Sequence, residues 1–220
     1  MAALTRRIRL GCPVTGMICC HPAVRANMAA NVDAISRGRL ELGLGTGWNQ
    51  QECDAYGIEL PPLSERFDRF DEGVEVVVRL LSDELASFSG AHFTLCEARC
   101  EPKPVQRPHP PIVIGGRGPK RRLRTAARFA DQWNAIVDDP SEWQELREIL
   151  VSHCESIGRD PTEISSSVIV RGEKGSDPGE VAGRAAAFGR VGVDLVFVSL
   201  PHHAEPRLVE TLEEALAPPA

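Results

Sequence analysis

Six times in succession, a short apolar run gives way to a stretch with helical periodicity. The runs are Ile8 to Val14, Leu40 to Thr46, Pro111 to Gly116, Asp131 to Val137, Ser166 to Arg171 and Val193 to Leu200. Most are nearly continuous in apolar residues rather than alternating, which marks strands buried on both faces. Strands of that kind, separated by amphipathic helices, dictate a parallel α/β sheet covered by helices. Two architectures satisfy the pattern: an open doubly wound sheet, or a TIM-type (β/α)8 barrel. A whole barrel takes about 250 residues and eight strands, and these 220 residues, with six βα units, fall short by about two: either the sheet is open with six strands, or a barrel has lost its beginning.

The helices carry their own punctuation. Pro22 to Arg37 places Val24, Met28, Val32 and Ile35 on one face, with Pro22 at the first position and Gly38 as the stop. Ser64 is the expected N-cap of a helix whose stripe is Phe67, Phe70, Val74, Val77 and Leu81. Pro119 opens a helix with Leu123, Ala126, Ala127 and Ala130 inward. Ser141 caps another that runs through Leu146, Ile149, Leu150 and Ile157 to Gly158. Pro178 to Val191 and about Glu205 to Leu216 are the last two. Ser87 to Leu95 reads as a hairpin turning at Gly90. The whole of 1–220 is expected to form one domain, with an insertion at about 50–105.

Charge and composition exclude several function classes. Lys and Arg number 25 against 31 Asp and Glu, a net charge of −6, which is the opposite of a nucleic-acid footprint. No apolar run approaches the ~20 residues of a membrane span. Met1 to Leu10 carries charges without the apolar stretch of an export signal. The expectation is a cytoplasmic enzyme acting on a small-molecule substrate. The seven cysteines include no Cys-x-x-Cys pair, so neither a disulfide framework nor a zinc site is expected, and no metal is assigned. His21, His92, His109 and His153 read as structural or exposed.

In parallel α/β folds, ligands sit at the C-terminal ends of the strands. There this chain places Cys12-Pro13-Val14-Thr15-Gly16, then Gly45-Thr46-Gly47-Trp48-Asn49, then Gly115-Gly116-Arg117-Gly118-Pro119-Lys120, and lastly His202-His203 beyond the sixth strand. The third loop has the composition of a phosphate cradle: glycines admit an anion, and a following helix offers free N–H groups. Arg117, Lys120 and Arg121 add charge. It is not a Walker loop. A strand-to-helix turn with a solvated basic face would look the same. Trp48 serves equally as a wall for a flat ring or as packing. A phosphosugar isomerase barrel would explain the glycine-rich loop but not Gly-Thr-Gly-Trp.

Several stretches together resemble the bacterial luciferase-like monooxygenase family, in particular its branch using the deazaflavin coenzyme F-420. They are Arg7-Ile8-Arg9-Leu10-Gly11, His21-Pro22-Ala23-Val24, Ser36 through Trp48, Pro61 through Asp68, Pro102-Lys103-Pro104-Val105-Gln106, Pro110 through Gly116, and Ala130-Asp131-Gln132-Trp133-Asn134. The resemblance implies a (β/α)8 barrel with F-420, or alternatively FMN, at its mouth, serving hydride transfer or oxygen insertion on a small organic substrate. By motif position, Pro13 and Val14 would lie behind the ring, with a cis peptide at Pro13-Val14 or Cys12-Pro13. Thr46, Gly47, Trp48 and Asn49 would line the ring and tail, and Gly115, Gly116, Arg117, Gly118 and Pro119 would hold the phosphate. The family's acidic or histidine residue near the ring belongs to the two units this sequence lacks, so no catalytic residue is assigned. A non-catalytic relative with weak or no cofactor binding is the alternative. The missing units would leave the Ile8 and Val193 strands unpaired on one side, so the chain is expected to self-associate as a homo-oligomer, to close the gap by distortion, or to be poorly soluble.

Overall fold

The structure, a computed structural model, describes residues 1–173, 175–201 and 206–216. His202 and His203 lie outside them.

The first strand position is broken in two. Leu10–Gly11 (β1) and Thr15–Gly16 (β2) both pair in parallel with Leu40–Gly45 (β3), Leu10 opposite Leu40 and Thr15 opposite Leu44. Between them Cys12 to Val14 arches off the ladder. Gly43 makes the arch possible, because a Cβ there would lie 1.8 Å from the Cys12 carbonyl oxygen. The expected continuous strand from Ile8 to Val14 is therefore corrected to two short pieces around an arch.

Pro22–Ser36 forms α1, as the proline start and glycine stop imply. Its cap residue is His21, whose Nδ1 accepts the Ala23 N–H. The apolar stripe Val24, Met28, Val32 and Ile35 is exposed, contrary to what such a stripe ordinarily means. The buried face is Ala26, Ala29 and Ala30 together with Arg25 and Asp33. Alanines let α1 approach its neighbours closely, which the larger side chains would prevent. The buried Asp33 carboxylate accepts from the backbone and side-chain N–H groups of Gln106 at 3.0 and 2.8 Å. That pairing ties the proline-rich segment before the next strand to α1.

After β3 come a short helix, Gln50–Tyr56 (α2), and the long Leu63–Ser82 (α3). α3 starts one residue before Ser64, which is consequently not its cap; Pro62 takes that place. Phe70, Val74, Val77 and Leu81 are fully buried, each contributing about 1.5–3 kcal/mol of burial. The hairpin of Ala86–Ser89 (β4) and Thr94–Ala98 (β5) follows. Its loop is held by Glu72, which accepts the N–H groups of Ala91, His92 and Phe93.

Four more parallel strands complete the sheet: Ile112–Gly115 (β6), Gln132–Ala135 (β7), Ser165–Arg171 (β8) and Leu195–Ser199 (β9). The order is β1-β3-β6-β7-β8-β9, so chain order and spatial order coincide, as in a barrel wall. The connecting helices are Arg122–Phe129 (α4), Pro140–Ser156 (α5), Pro178–Arg190 (α6) and, after β9, Pro206–Leu216 (α7). α4 starts three residues later than the Pro119 start expected from sequence. α5 is capped by Asp139, which accepts the Ser141 N–H, rather than by Ser141. Among the described residues β1 and β9 remain unpaired on their outer edges. The fold is a TIM-type α/β barrel with six of its strand positions present.

Alternation along the strands sorts the side chains. Leu40, Leu42, Leu44, Ile112, Ile114, Trp133 and Ala135 join the core beneath the helices. Glu41, Val113, Gln132, Leu195 and Phe197 face a cavity of about 410 Å³ inside the sheet's concave side.

Candidate active site

The site is built on the arch. Val14 projects from it between two strand ends, and Gly45 and Gly115 make room: an added Cβ would lie 2.7 Å and 2.8 Å from the Val14 methyls. These two glycines thus serve the close approach of a neighbouring side chain. Above Val14 opens a cavity of about 400 Å³ at the C-terminal ends of the strands. Pro13, Val14, Thr46, Gly47, Trp48 and Asn49, six of the residues expected from sequence, line it together. Ile18, Cys19, Glu52, Cys53, Tyr56, Ile58, Arg122 and Ile136 belong to the same wall.

The local sequence explains this placement. Gly47 has φ +84, and a Cβ on it would lie 2.6 Å from Ile18; glycine turns the chain sharply here. The turn leaves Trp48 at the rim, 78 % exposed. Asn49 faces the next helix: its side chain accepts the Glu52 N–H at 3.2 Å and starts α2. Cys19 is exposed at its surface, while partial desolvation, opposed by the charge of Arg25, pushes its thiol above the ordinary pKa. Among the described residues no three His, Cys, Asp or Glu side chains stand together to hold a metal ion.

The glycine-rich loop after β6 lies next to this cavity, since Arg122 on its wall donates to the Gly115 carbonyl. Gly115, Gly116, Arg117, Gly118 and Pro119 are not part of the cavity wall. The Gly116 N–H donates to the Asn134 carbonyl at 3.0 Å and is not free for an anion. The Gly116 carbonyl accepts the Trp133 indole N–H at 2.8 Å. Arg117 points outward, 3.4 Å from Glu142. Arg121 is held by Asp68 at 2.6 Å and Asp71 at 3.1 Å; partial burial opposes its charge, but the two carboxylates outweigh that and raise its pKa. Among the described residues the cis peptides are Glu101-Pro102 and Arg107-Pro108, and both Cys12-Pro13 and Pro13-Val14 are trans.

Two arginines that the sequence did not single out stand by the Thr46-Gly47 turn. Arg122, on the first turn of α4, donates to the Thr46 hydroxyl at 2.7 Å and to the Gly115 carbonyl at 3.2 Å. Arg66, on α3, donates to the Gly47 carbonyl at 2.8 Å, and its Nε is buried without a partner. Burial and then the charge of Arg66 lower the Arg122 pKa. The ion pairs among the described residues include neither arginine. Two half-buried like charges without a carboxylate are costly in the empty state and become favourable when an anion arrives. An apolar floor and wall of Val14, Ile18 and Ile136 beside this pair suits a flat ring with an anionic tail.

A family model described as luciferase-like monooxygenase matches residues 1–206. The pyrimidine monooxygenase RutA of Allorhizobium ampelinum is 34 % identical over 133 residues, which are 60 % of this chain and 35 % of the relative. The phthiodiolone/phenolphthiodiolone dimycocerosates ketoreductase of Mycobacterium bovis is 33 % identical over 169 residues, 76 % of this chain and 43 % of the relative. The chain spans less than half the length of these two relatives. The solved coenzyme F-420 dependent tetrahydromethanopterin reductase of Methanopyrus kandleri superposes with a TM-score of 0.81 at 17 % identity. That alignment covers 98 % of this chain and 84 % of the reductase, and establishes likeness of fold.

Proposed function

The chain belongs to the luciferase-like monooxygenase family, and from that premise we propose that it is an oxidoreductase binding the deazaflavin F-420, or alternatively FMN, in the cavity above Val14. The observation that carries this reading is Arg122, half-buried on the cavity wall beside an apolar surface at the strand ends, with the charge of Arg66, which donates to the Gly47 carbonyl, adding to its own. A phosphate-bearing ring cofactor supplies both what the arginines lack and what the wall would cover. The F-420-dependent structural neighbour and the ketoreductase favour a hydride-transferring deazaflavin; the pyrimidine monooxygenase keeps FMN and oxygen insertion as the alternative.

The residues present fit such a group. Arg122 and Arg66 would hold its phosphate, each already oriented by a hydrogen bond to the Thr46-Gly47 turn. Val14 would back the ring, its position fixed by Gly45 and Gly115. Trp48 would cover the ring edge and shed water, becoming less exposed. When bound, the cofactor supplies the redox chemistry, and the protein orients it and shapes the substrate pocket. Titration of F-420 and of FMN, followed by their fluorescence, tests the reading. Saturable binding of one, weakened at least tenfold by Arg122→Met, is the expected result. No binding of either would favour the non-catalytic alternative.

A further inference from the structure

Buried polar groups nearly always find partners within the fold, and an exception asks for a physical reason. Asn134, on β7, is such an exception. It is fully buried, and its carboxamide oxygen has no hydrogen-bond partner among the described residues. The direction of its other bonds fixes what kind of partner it takes. The Asn134 Nδ2 donates to the Ser167 hydroxyl at 2.9 Å, and that hydroxyl donates its single hydrogen to Gln132 Oε1 at 3.3 Å. This relay uses the donor side of the amide and leaves an acceptor, Oδ1, which is costly to bury unpaired. Its complement is an N–H or O–H.

The sheet shows where that donor comes from. Asn134 pairs with Gly115 on β6 and with Ser167 on β8. Gly115 is the glycine that admits the Val14 methyls, so Asn134 stands beside Val14 on the same face of the sheet. Two positions earlier, Gln132 lines the cavity inside the sheet; two positions later, Ile136 lines the cavity above Val14. Pro13 of the arch lines both. Asn134 therefore belongs with Pro13 and Val14 to the partition that floors the upper cavity. A buried water is held by about two to four polar partners, and the side chains of Val14 and Ile136 offer none.

We propose that Asn134 binds the ring of the cofactor, its carboxamide oxygen accepting the N–H that oxidised flavins and deazaflavins both carry between two ring carbonyls. This rests on reading the cavity as the cofactor site, and it divides the labour there. Arg122 meets the phosphate, whereas Asn134, fixed by the Ser167 relay, sets how the ring is turned in its own plane. Val14 cannot set that angle, because apolar contact is non-directional.

Methylation of that ring nitrogen removes the donor and gives the test. Whichever of F-420 and FMN binds the native chain is compared, by fluorescence titration, with its analogue methylated there. The native chain is expected to bind the methylated ring roughly tenfold or more weakly. Asn134→Leu, of similar volume, and Asn134→Ala, which leaves room for the methyl group, are each expected to bind the two forms within about twofold of each other. Near-ultraviolet circular dichroism of the adjacent Trp133 shows that the variants keep the fold. Arg122→Met is expected to weaken both forms alike and to keep the native preference. Equal binding of the two forms by the native chain, or a preference that survives in either Asn134 variant, would overturn the proposal and leave the cofactor site standing. Binding of neither cofactor would overturn both.

Discussion

Arg121 and Arg122 are adjacent in sequence and have opposite roles, so the same substitution in each should move stability and affinity in opposite ways. Arg122→Met removes two hydrogen bonds, to Thr46 and Gly115, each worth about 1.5–3 kcal/mol for a charged donor. It also removes a guanidinium whose burial costs several kcal/mol and the repulsion from Arg66 that, after burial, lowers its pKa. These contributions cancel to within about 1 kcal/mol, and a methionine fills the same space. Cofactor binding, in contrast, loses one charge-assisted contact to phosphate, about 1.5–3 kcal/mol, or roughly 10- to 150-fold in affinity. Arg121→Met breaks the pairs with Asp68 and Asp71. Its side chain is 31 % exposed, so solvent screening holds the loss to about 1–2 kcal/mol, a fall of roughly 2–8 °C in Tm for a chain this long. Its affinity for cofactor should stay within about twofold of native, because it does not line the cavity. Thermal melts and fluorescence titrations on the three proteins check both quantities. Should Arg122→Met melt as early as Arg121→Met while binding cofactor normally, Arg122 is a structural residue and the anion site is misplaced.

Other outcomes follow from single positions. Gly116→Val should weaken cofactor binding at least tenfold in the same titration, because φ is +128 there and a Cβ would strike the Arg122 guanidinium 2.0 Å away. Gly38→Ala should cost about 1–2 kcal/mol in a urea melt, since φ is +77 after the α1 C-cap, with cofactor affinity unchanged; a loss of affinity alone would contradict that. Gly43→Ala should leave little folded protein by circular dichroism, its Cβ colliding with the Cys12 carbonyl. Asp139 and Asp160, accepting hydrogen bonds from Ser141 and Thr162, have pKa values below the ordinary carboxylate range. Unfolding gives these carboxylates back their higher affinity for protons, so their contribution is full above about pH 4 and is lost as pH falls through the depressed folded values. Asp139→Asn with Asp160→Asn should flatten that part of a stability-against-pH curve.

Much of the fold could be read from periodicity and punctuation. The bounds of α1, β3, β8 and α6 fall within two residues of expectation, because proline starts, glycine stops and apolar strands are local signals. The cavity-lining set from Pro13 to Asn49 was equally legible, since strand-end loops gather at one end of a parallel sheet. What local signals could not show depends on three-dimensional neighbours. Five basic residues crowd between Arg117 and Arg124, and only the phase of α4 decides that Arg122 turns inward while Arg121 meets two aspartates of α3. Arg66 lies 56 positions earlier, and nothing in its own neighbourhood marks it. For α1, side-chain size misled, because a helix pressed close to its neighbours buries alanine and leaves valine and methionine outside.

Whether this cavity was built for a phosphate-bearing ring is decided most directly by one titration series: F-420 and FMN, each against the native chain and against Arg122→Met. One cofactor should bind saturably at one site per chain, with affinity at least tenfold weaker in the variant and a melting temperature little changed. Failure of both to bind the native chain, or equal binding by the native chain and the variant, would contradict the assignment of Arg66 and Arg122 as its anion site.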